Sequence, residues 1–154
     1  MAMIERRRLA HPPVVERVNA PIIVFATVCT AHRRPVLAQP AAATTLREAW
    51  LRADTWFVGR YVVMPDHVHL FCAPRDDVTL VRWVRFWKAI TTRRWPGPRL
   101  RPLWQRDCWD TQLRSATSYT EKWEYVRWNP VRHGLVHHPD EWPYQGEMTR
   151  LDWL

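Results

Sequence analysis

The chain has 154 residues, of which 47% are hydrophobic and 25% charged. This composition is typical of one soluble globular domain and excludes disordered and fibrous proteins. Lys and Arg outnumber Asp and Glu by 23 to 15, giving a formal net charge of +8 and a pI near 10.2. So basic a domain indicates a nucleic-acid partner. The longest apolar run, residues 21–28, is shorter than the about 20 residues that span a bilayer, so a cytoplasmic protein is expected.

The tryptophans and cysteines further restrict the classes of protein that this sequence could belong to. The chain has 11 Trp, and although most are expected in the core, exposed aromatic rings stack on unpaired bases for about 1–3 kcal/mol each. Cys29, Cys72 and Cys108 lie far apart, with no CxxC pair among them. Reduced thiols are therefore expected, rather than a disulfide framework or a zinc ribbon.

The predicted elements, in chain order, begin with an irregular basic segment and end with a short tail. The predictions are an irregular segment 1–20, a strand 22–30, a helix from Thr44 or Thr45 to about residue 53, strands 56–64 and 67–73, a helix from the cap Thr79 to about residue 94, a strand with its flanks 103–113, a helix from the cap Ser118 to about residue 128, and a C-terminal tail 147–154.

These assignments depend on local patterns. The strands are runs of β-branched and aromatic residues, and the dipeptide Pro65-Asp66 predicts a tight turn between two of them. Leu80, Val84 and Trp87 recur at helical spacing. The order predicts one α+β domain over 1–154: a ferredoxin-like, split-βαβ antiparallel sheet with helices packed mainly on one face.

His67 and His69 are the first candidate site residues. Positions i and i+2 of a strand point to the same face, so these side chains should project together. Adjacent imidazoles form a natural pair of metal ligands. The spacing alone equally allows two unrelated histidines, one of them satisfying the preceding turn.

Tyr125 and Asn129 are the second candidate pair, since they lie one helical turn apart. Tyrosine can act as a covalent nucleophile, and an amide oxygen can bind a metal. A buried Tyr with a backbone partner is the alternative. Pro130 disfavours helical geometry at Asn129, which would change the direction of the amide. Glu121 is a further possible ligand, although a capping-box role is favoured.

At this point the sequence resembles a known family. The segment YVVMPDHVHL at 61–70 resembles a signature of the HUH transposases, and in particular of the REP-associated tyrosine transposases. The segment YVRWNPVRHGLV at 125–136 resembles their second hallmark. Residues 104–110 and the WPY at 142–144 are also similar, so that the resemblance covers about residues 20–146.

The resemblance implies more than the spacing does. By motif position, His67 and His69 would bind a divalent cation, Mg²⁺ or Mn²⁺, with Asn129 joining them, and Tyr125 would be the nucleophile. The implied substrate is single-stranded DNA with hairpin or palindromic structure, joined to the enzyme through a 5′-phosphotyrosine. His133 departs from the family, which usually has a small residue there. A monomer is favoured, with a homodimer possible.

Eight basic residues are predicted to bind DNA, although each alone could be an ordinary solvated charge. Together they predict binding that weakens steeply with salt, because neutralised phosphates release counterions. The residues are Arg82, Arg85, Lys88, Arg93, Arg106, Arg114, Arg127 and Arg132.

Three other functions remain open at this stage. A replication initiator or relaxase-like nickase would keep the chemistry, but such proteins often carry further domains. A domesticated, non-catalytic hairpin-binding protein would keep only the DNA binding. A structural zinc protein would need four suitably placed Cys or His ligands, which the cysteines do not provide. No general base can be named from the sequence, and Tyr119 is the next candidate nucleophile.

Overall fold

The computed structural model describes residues 22–152, so the predicted basic segment 1–20 lies outside the described residues. No helix within this range is long and apolar enough to cross a membrane. The elements follow in this order: β1 (Ile23–Cys29), α1 (Pro40–Arg52), β2 (Trp56–Val63), β3 (His67–Pro74), α2 (Leu80–Arg93), β4 (Trp109–Leu113), α3 (Ala116–Arg127), α4 (Asn129–Arg132) and β5 (Gln145–Glu147). Short 3-10 turns lie at Ala31–Arg33 and Pro139–Glu141.

The strands form one antiparallel sheet in the order β4-β1-β3-β2-β5. The predicted hairpin of β2 and β3 is present, and the amide of Met64 donates to the carbonyl of His67 at 2.8 Å across its turn. The predicted α+β, split-βαβ fold is therefore confirmed. The short strand β5, which was not predicted, adds to the outer edge of β2.

The two faces of the sheet are covered by different helices. On β3, Val68, Leu70 and Cys72 belong to the large core that also contains residues of α1 and α2. Phe71 points to the opposite face, where its ring lies 5.0 Å from that of Tyr119 on α3. Because side chains alternate along a strand, His67 and His69 share the Phe71 face. The sheet therefore presents both histidines on the side that carries α3.

Tryptophans fill much of the larger core. Trp50 of α1 and Trp87 of α2 make an edge-to-face contact with ring centroids 5.9 Å apart, and Trp104 packs on Trp87 at 5.5 Å. Trp56 and Trp83 are stacked. All five are buried, as is Trp142, and Trp95 and Trp123 pack against the cores, so most of the 11 tryptophans serve packing as predicted.

Two helix starts differ from the sequence predictions. Helix α1 begins at Pro40 instead of Thr44 or Thr45, because a proline is already in helical φ at the first position and needs no donor there. Thr45 lies inside the helix, and its hydroxyl donates to the carbonyl of Ala41 at 2.9 Å. Helix α3 is capped by Ser115, whose Oγ accepts from the amide of Ser118 at 3.0 Å. Ser118 is thus the third residue of the helix, and the predicted capping role of Glu121 is wrong.

The predicted strand 103–113 is only half correct. Regular pairing begins at Trp109, while Trp104 makes one isolated bridge to Thr30. Between them the ammonium of Lys88 donates hydrogen bonds to the carbonyls of Gln105, at 2.8 Å, and Arg106, at 3.4 Å. These carbonyls are thereby directed to a side chain instead of a neighbouring strand. Helix α2 matches its prediction, with the hydroxyl of Thr79 accepting from the amide of Arg82 at 3.3 Å.

Candidate active site

The two histidines of β3 converge on one point. Their Nε2 atoms lie 3.1 Å apart. His67 Nδ1 lies 2.8 Å from a carboxylate oxygen of Asp66, and His69 Nδ1 lies 2.8 Å from the hydroxyl of Thr27 on the paired strand β1. Each ring is therefore held through its Nδ1 atom, and the two Nε2 atoms are directed towards each other.

This arrangement fits a shared metal ion. Imidazole nitrogens bind a first-row ion at about 2.0–2.1 Å, so two of them at a right angle are roughly 3 Å apart. A carboxylate or hydroxyl behind each ring is the usual means of orienting such ligands. Burial lowers the pKa of His67 and lowers that of His69 well below its ordinary value. Both rings are accordingly neutral at pH 7, the form that binds metals.

Arg33 supports the His67 side of this pair. Its Nε donates to Asp66 at 2.8 Å, and its Nη2 lies 3.5 Å from His67 Nδ1. Burial alone would raise the pKa of Asp66, but the hydrogen bonds from Arg33 and His67 hold that pKa below its usual value. His32 and Arg33 adopt the left-handed backbone region, with φ of 57° and 52°. Such strain in non-glycine residues occurs mainly at functional sites, and here it turns Arg33 back towards Asp66.

A cleft of about 290 Å³ joins the His69 side of the sheet to helix α3. Its walls contain both His69 and Tyr125, so the structure brings the predicted ligand and the predicted nucleophile into one cavity. The lining residues are Phe25, Thr27, His69, Trp109, Asp110, Thr111, Lys122, Tyr125 and Val126.

Tyr125 is presented to solvent within this cleft. Its side chain is 63% exposed, which is unusual for a tyrosine with only a structural role. The guanidinium of Arg132 lies 3.9 Å from the ring centroid and also donates to the carbonyl of Tyr125. The ring is therefore fixed from one side by a cation–π contact, while most of the side chain stays exposed.

Lys122 adds a positive charge to the cleft. It lies three residues before Tyr125 on α3, and its Nζ lies 5.2 Å from the centroid of the Phe25 ring. Its charge contributes to lowering the pKa of His69, after burial and His67. A lysine that lines the same cleft as His69 and Tyr125 is suitably placed to neutralise a bound phosphate.

Asn129 lies at a break between two helices, as Pro130 indicates. Helix α3 ends at Arg127, and Asn129 begins the short helix α4. The side chain is buried, and its Oδ1 accepts from Nη2 of Arg132 at 3.3 Å. The amide oxygen is therefore engaged within its own turn, and its predicted role as a metal ligand stays a prediction.

His133, which departs from the pattern that the sequence resemblance implies, lies close to the site. Its Nδ1 is 2.9 Å from the carbonyl of Asn129. Its charge is also one of the smaller influences that lower the pKa values of His67 and His69. His133 thus has a small electrostatic influence on the histidine pair.

Within residues 22–152, no three or more His, Cys, Asp or Glu side chains are arranged to hold a metal. A metal on His67 and His69 would therefore take its other ligands from an amide, water or substrate. This part of the chain offers no support for a four-ligand structural zinc site.

The predicted DNA-binding residues fall into separate groups. Lys88, Arg93 and Arg106 line one groove, which is described below. Arg127 is paired with Glu124 and Asp140, which partly offset its charge. Arg132 holds Tyr125 and Asn129. Arg82, Arg85 and Arg114 are exposed.

Several site residues were missed by the sequence analysis. Asp66 directly precedes His67, and Lys122 lies one turn before Tyr125, so both had a local signal. Thr27 and Arg33 are 42 and 34 residues from their histidine partners. The register of β1 with β3 places Thr27 beside His69, and the turn at Ala31–Arg33 after β1 brings Arg33 to His67.

No family model matches the chain, but sequence relatives and solved structures do. A protein of Escherichia coli (strain K12) named REP-associated tyrosine transposase is 30% identical over 89 residues, covering 56% of this chain and 52% of that protein. A Haemophilus influenzae protein provisionally given the same name is 29% identical over 110 residues, covering 59% of this chain and 62% of its own. The matched region therefore spans about half to three fifths of these relatives.

A solved structure shares the fold. It is a REP-associated tyrosine transposase bound to a REP hairpin, with a TM-score of 0.70 and 22% identity, covering 87% of this chain and 81% of the other. At this identity the likeness establishes the architecture alone. Together with the sequence relatives, it confirms the resemblance that the motifs indicate.

Proposed function

We propose, on the premise that the chain is a relative of the REP-associated tyrosine transposases, that it cleaves single-stranded hairpin DNA and transfers the cut strand. Tyr125 is the proposed nucleophile. The observation that carries the proposal is the cleft of about 290 Å³ whose walls contain both His69 and the exposed ring of Tyr125. The net charge of +8 is suited to a polyanionic substrate.

His67 and His69 would hold a divalent cation through their Nε2 atoms, with Asn129 as a proposed further ligand. When bound, such an ion supplies Lewis-acid stabilisation of the charge on the reacting phosphate. Magnesium prefers oxygen ligands and imidazole suits later metals, so Mn²⁺ is expected to serve at least as well as Mg²⁺ in vitro.

The residues of the chain have distinct parts in the proposed reaction. The Tyr125 oxygen forms a bond to the phosphorus, and the bond from phosphorus to the 3′-oxygen of the preceding nucleotide breaks. The phenolic proton is released, and the departing oxygen takes up a proton to become a 3′-hydroxyl. Lys122 faces the same cleft and offsets the phosphate charge, while Arg132 orients the tyrosine ring.

The phosphotyrosine bond retains the energy of the broken phosphodiester. A second 3′-hydroxyl can therefore attack it, which restores the Tyr125 hydroxyl and joins two strands. Hairpin DNA is the proposed substrate because a relative of the same fold is bound to a REP hairpin. This reaction sequence makes the protein a transposase or strand transferase, instead of a simple nuclease.

A covalent-adduct assay tests the proposal. Labelled single-stranded hairpins from the flanks of the gene are incubated with the full chain and Mn²⁺ or Mg²⁺, and a denaturing protein gel reveals attached DNA. The variants are Tyr125→Phe and, as a matched control, Tyr119→Phe, whose ring is buried against Phe71. Wild type and Tyr119→Phe should form a metal-dependent adduct that Tyr125→Phe lacks.

Two outcomes would contradict this assignment. An adduct that persists in Tyr125→Phe would move the nucleophile to another residue. Tight hairpin binding with no adduct in any variant would instead favour a non-catalytic hairpin-binding protein.

A further inference from the structure

A second, strongly basic groove lies apart from the Tyr125 cleft. It runs between the C-terminal half of α2 and residues 99–106, with a volume of about 400 Å³. Its basic lining residues are Lys88, Arg93, Arg99, Arg101 and Arg106, and none of its lining residues is acidic. Arg99 and Arg101 carry no function in the proposed chemistry, and both are exposed.

The wall of this groove is fastened to the body of the protein. Lys88 Nζ donates to the carbonyl of Gln105 at 2.8 Å, and the indole of Trp104 donates to the hydroxyl of Thr91 at 2.8 Å. A third contact runs from Nη1 of Arg34 to the carbonyl of Pro102 at 3.1 Å. The arginines of the wall are thus presented from a segment that is held in place at several points.

A short backbone path connects the groove with the histidine site around the end of β1. Gln105 donates to the carbonyl of Cys29 at 2.9 Å, and Cys29 pairs with His67 across β1 and β3. Neighbouring strands lie about 4.7–4.9 Å apart, so the Gln105 and His67 backbones are separated by roughly 10 Å. Stacked DNA advances about 3.4 Å per nucleotide, so roughly three nucleotides span this distance.

Cationic side chains also mark the path between the two sites. Arg34 contacts the groove through Pro102, and its neighbour Arg33 contacts Asp66 and His67. Arg33 is paired with Asp66, so a backbone passing from the histidines to the groove would meet the charge of Arg34 before the groove arginines.

We infer that this groove binds the single-stranded DNA segment that adjoins the cleaved phosphate. The inference rests on the proposed function, and it adds a second contact region to the substrate. A basic groove of about 400 Å³ suits a sugar-phosphate backbone. Contacts to phosphate make the binding tolerant of sequence.

Fluorescence anisotropy across a salt series tests the inference on the full chain. The probes are an oligothymidine of about 12 nucleotides, within the range covered by one single-strand-binding domain, and a blunt hairpin of equal phosphate count. The variant Arg99→Gln/Arg101→Gln removes two groove charges. The control Arg47→Gln/Arg52→Gln removes two charges from α1, outside the groove lining.

The groove variant should bind oligothymidine about tenfold more weakly than wild type. Its slope of log affinity against log salt should be shallower by about 1.4, since each single-strand phosphate contact contributes roughly 0.7. The blunt hairpin and the control variant should show no comparable change. Thermal unfolding of each variant confirms that the fold is kept.

Two results would overturn the inference. Equal losses for oligothymidine and blunt hairpin would mean that the groove binds duplex. Losses no greater than those of the α1 control would mean that it is not a DNA site. The readout needs no cleavage, so a wild type that shows the expected slopes but forms no adduct contradicts the proposed chemistry alone.

Discussion

His67 Nε2 and His69 Nε2 lie 3.1 Å apart, each on a ring whose other nitrogen contacts an oxygen of a neighbouring residue. Two neutral imidazoles this close can share one hydrogen bond, but their convergent lone pairs also suit a single cation. A hydrogen bond to the carboxylate of Asp66 fixes the orientation of His67, and a hydrogen bond from Arg33 fixes the orientation of that carboxylate. The geometry of the pair therefore depends on residues outside the motif.

Asp66→Asn should weaken binding of Mn²⁺ by about 10–100-fold, because an amide orients and polarises His67 less well than a carboxylate. Isothermal titration of the metal-free chain with Mn²⁺ measures the effect without any DNA. Asp76→Asn is the matched control, since Asp76 is an exposed acid in the loop after β3. Equal affinities in the two variants would show that Asp66 has no role in metal binding.

Lys122→Gln should slow adduct formation by tenfold or more, roughly the effect of losing one donor to a developing anion. The lysine shares the cleft with His69 and Tyr125, so its charge acts where the phosphate is expected. Lys122→Arg should recover most of the rate, because the positive charge is kept. Single-turnover adduct formation at saturating DNA separates this effect from affinity. Failure of the arginine variant to recover activity would indicate a packing role against Phe25.

The central elements were predictable because their signals are local. The alternation around His67 and His69 places them on one face whatever the rest of the fold does, and the Thr79 cap is marked by its own residue type. Lys122 becomes a site residue only because α3 packs on the histidine face of the sheet. That packing depends on Phe71 and Tyr119, which are distant in sequence.

The cysteines provide a prediction about reactivity. Burial raises the pKa of Cys108 to about 12 and raises the pKa of Cys72 well above its ordinary value. Since the thiolate is the reactive form, neither should be alkylated by iodoacetamide at mildly alkaline pH in the folded protein. Peptide mapping by mass spectrometry should show both modified once the chain is unfolded in guanidinium. Rapid labelling of Cys108 in the native state would instead show that the neighbouring groove wall opens.

The sequence prediction and the structure differ most clearly at the start of α3. The sequence predicts Ser118 as the cap and Glu121, three residues later, as its partner, because this pair has the spacing of a capping box. Ser115 and Ser118 form that box instead, through bonds of 3.0 Å and 3.1 Å between each side chain and the other's amide. Serine lies at both positions, so residue type alone could not distinguish them.

Ser115→Ala should therefore lower the free energy of unfolding by about 1 kcal/mol, the usual cost of losing a helix cap. Ser118→Ala loses one bond of the box but gains helix propensity, so its stability should stay within roughly 0.5 kcal/mol of wild type. Urea denaturation followed by circular dichroism measures both values. If Ser118→Ala were the more damaging change, the helix would begin where the sequence placed it. Tyr125 would then lie one turn closer to the start of the helix, with a different approach to the histidines.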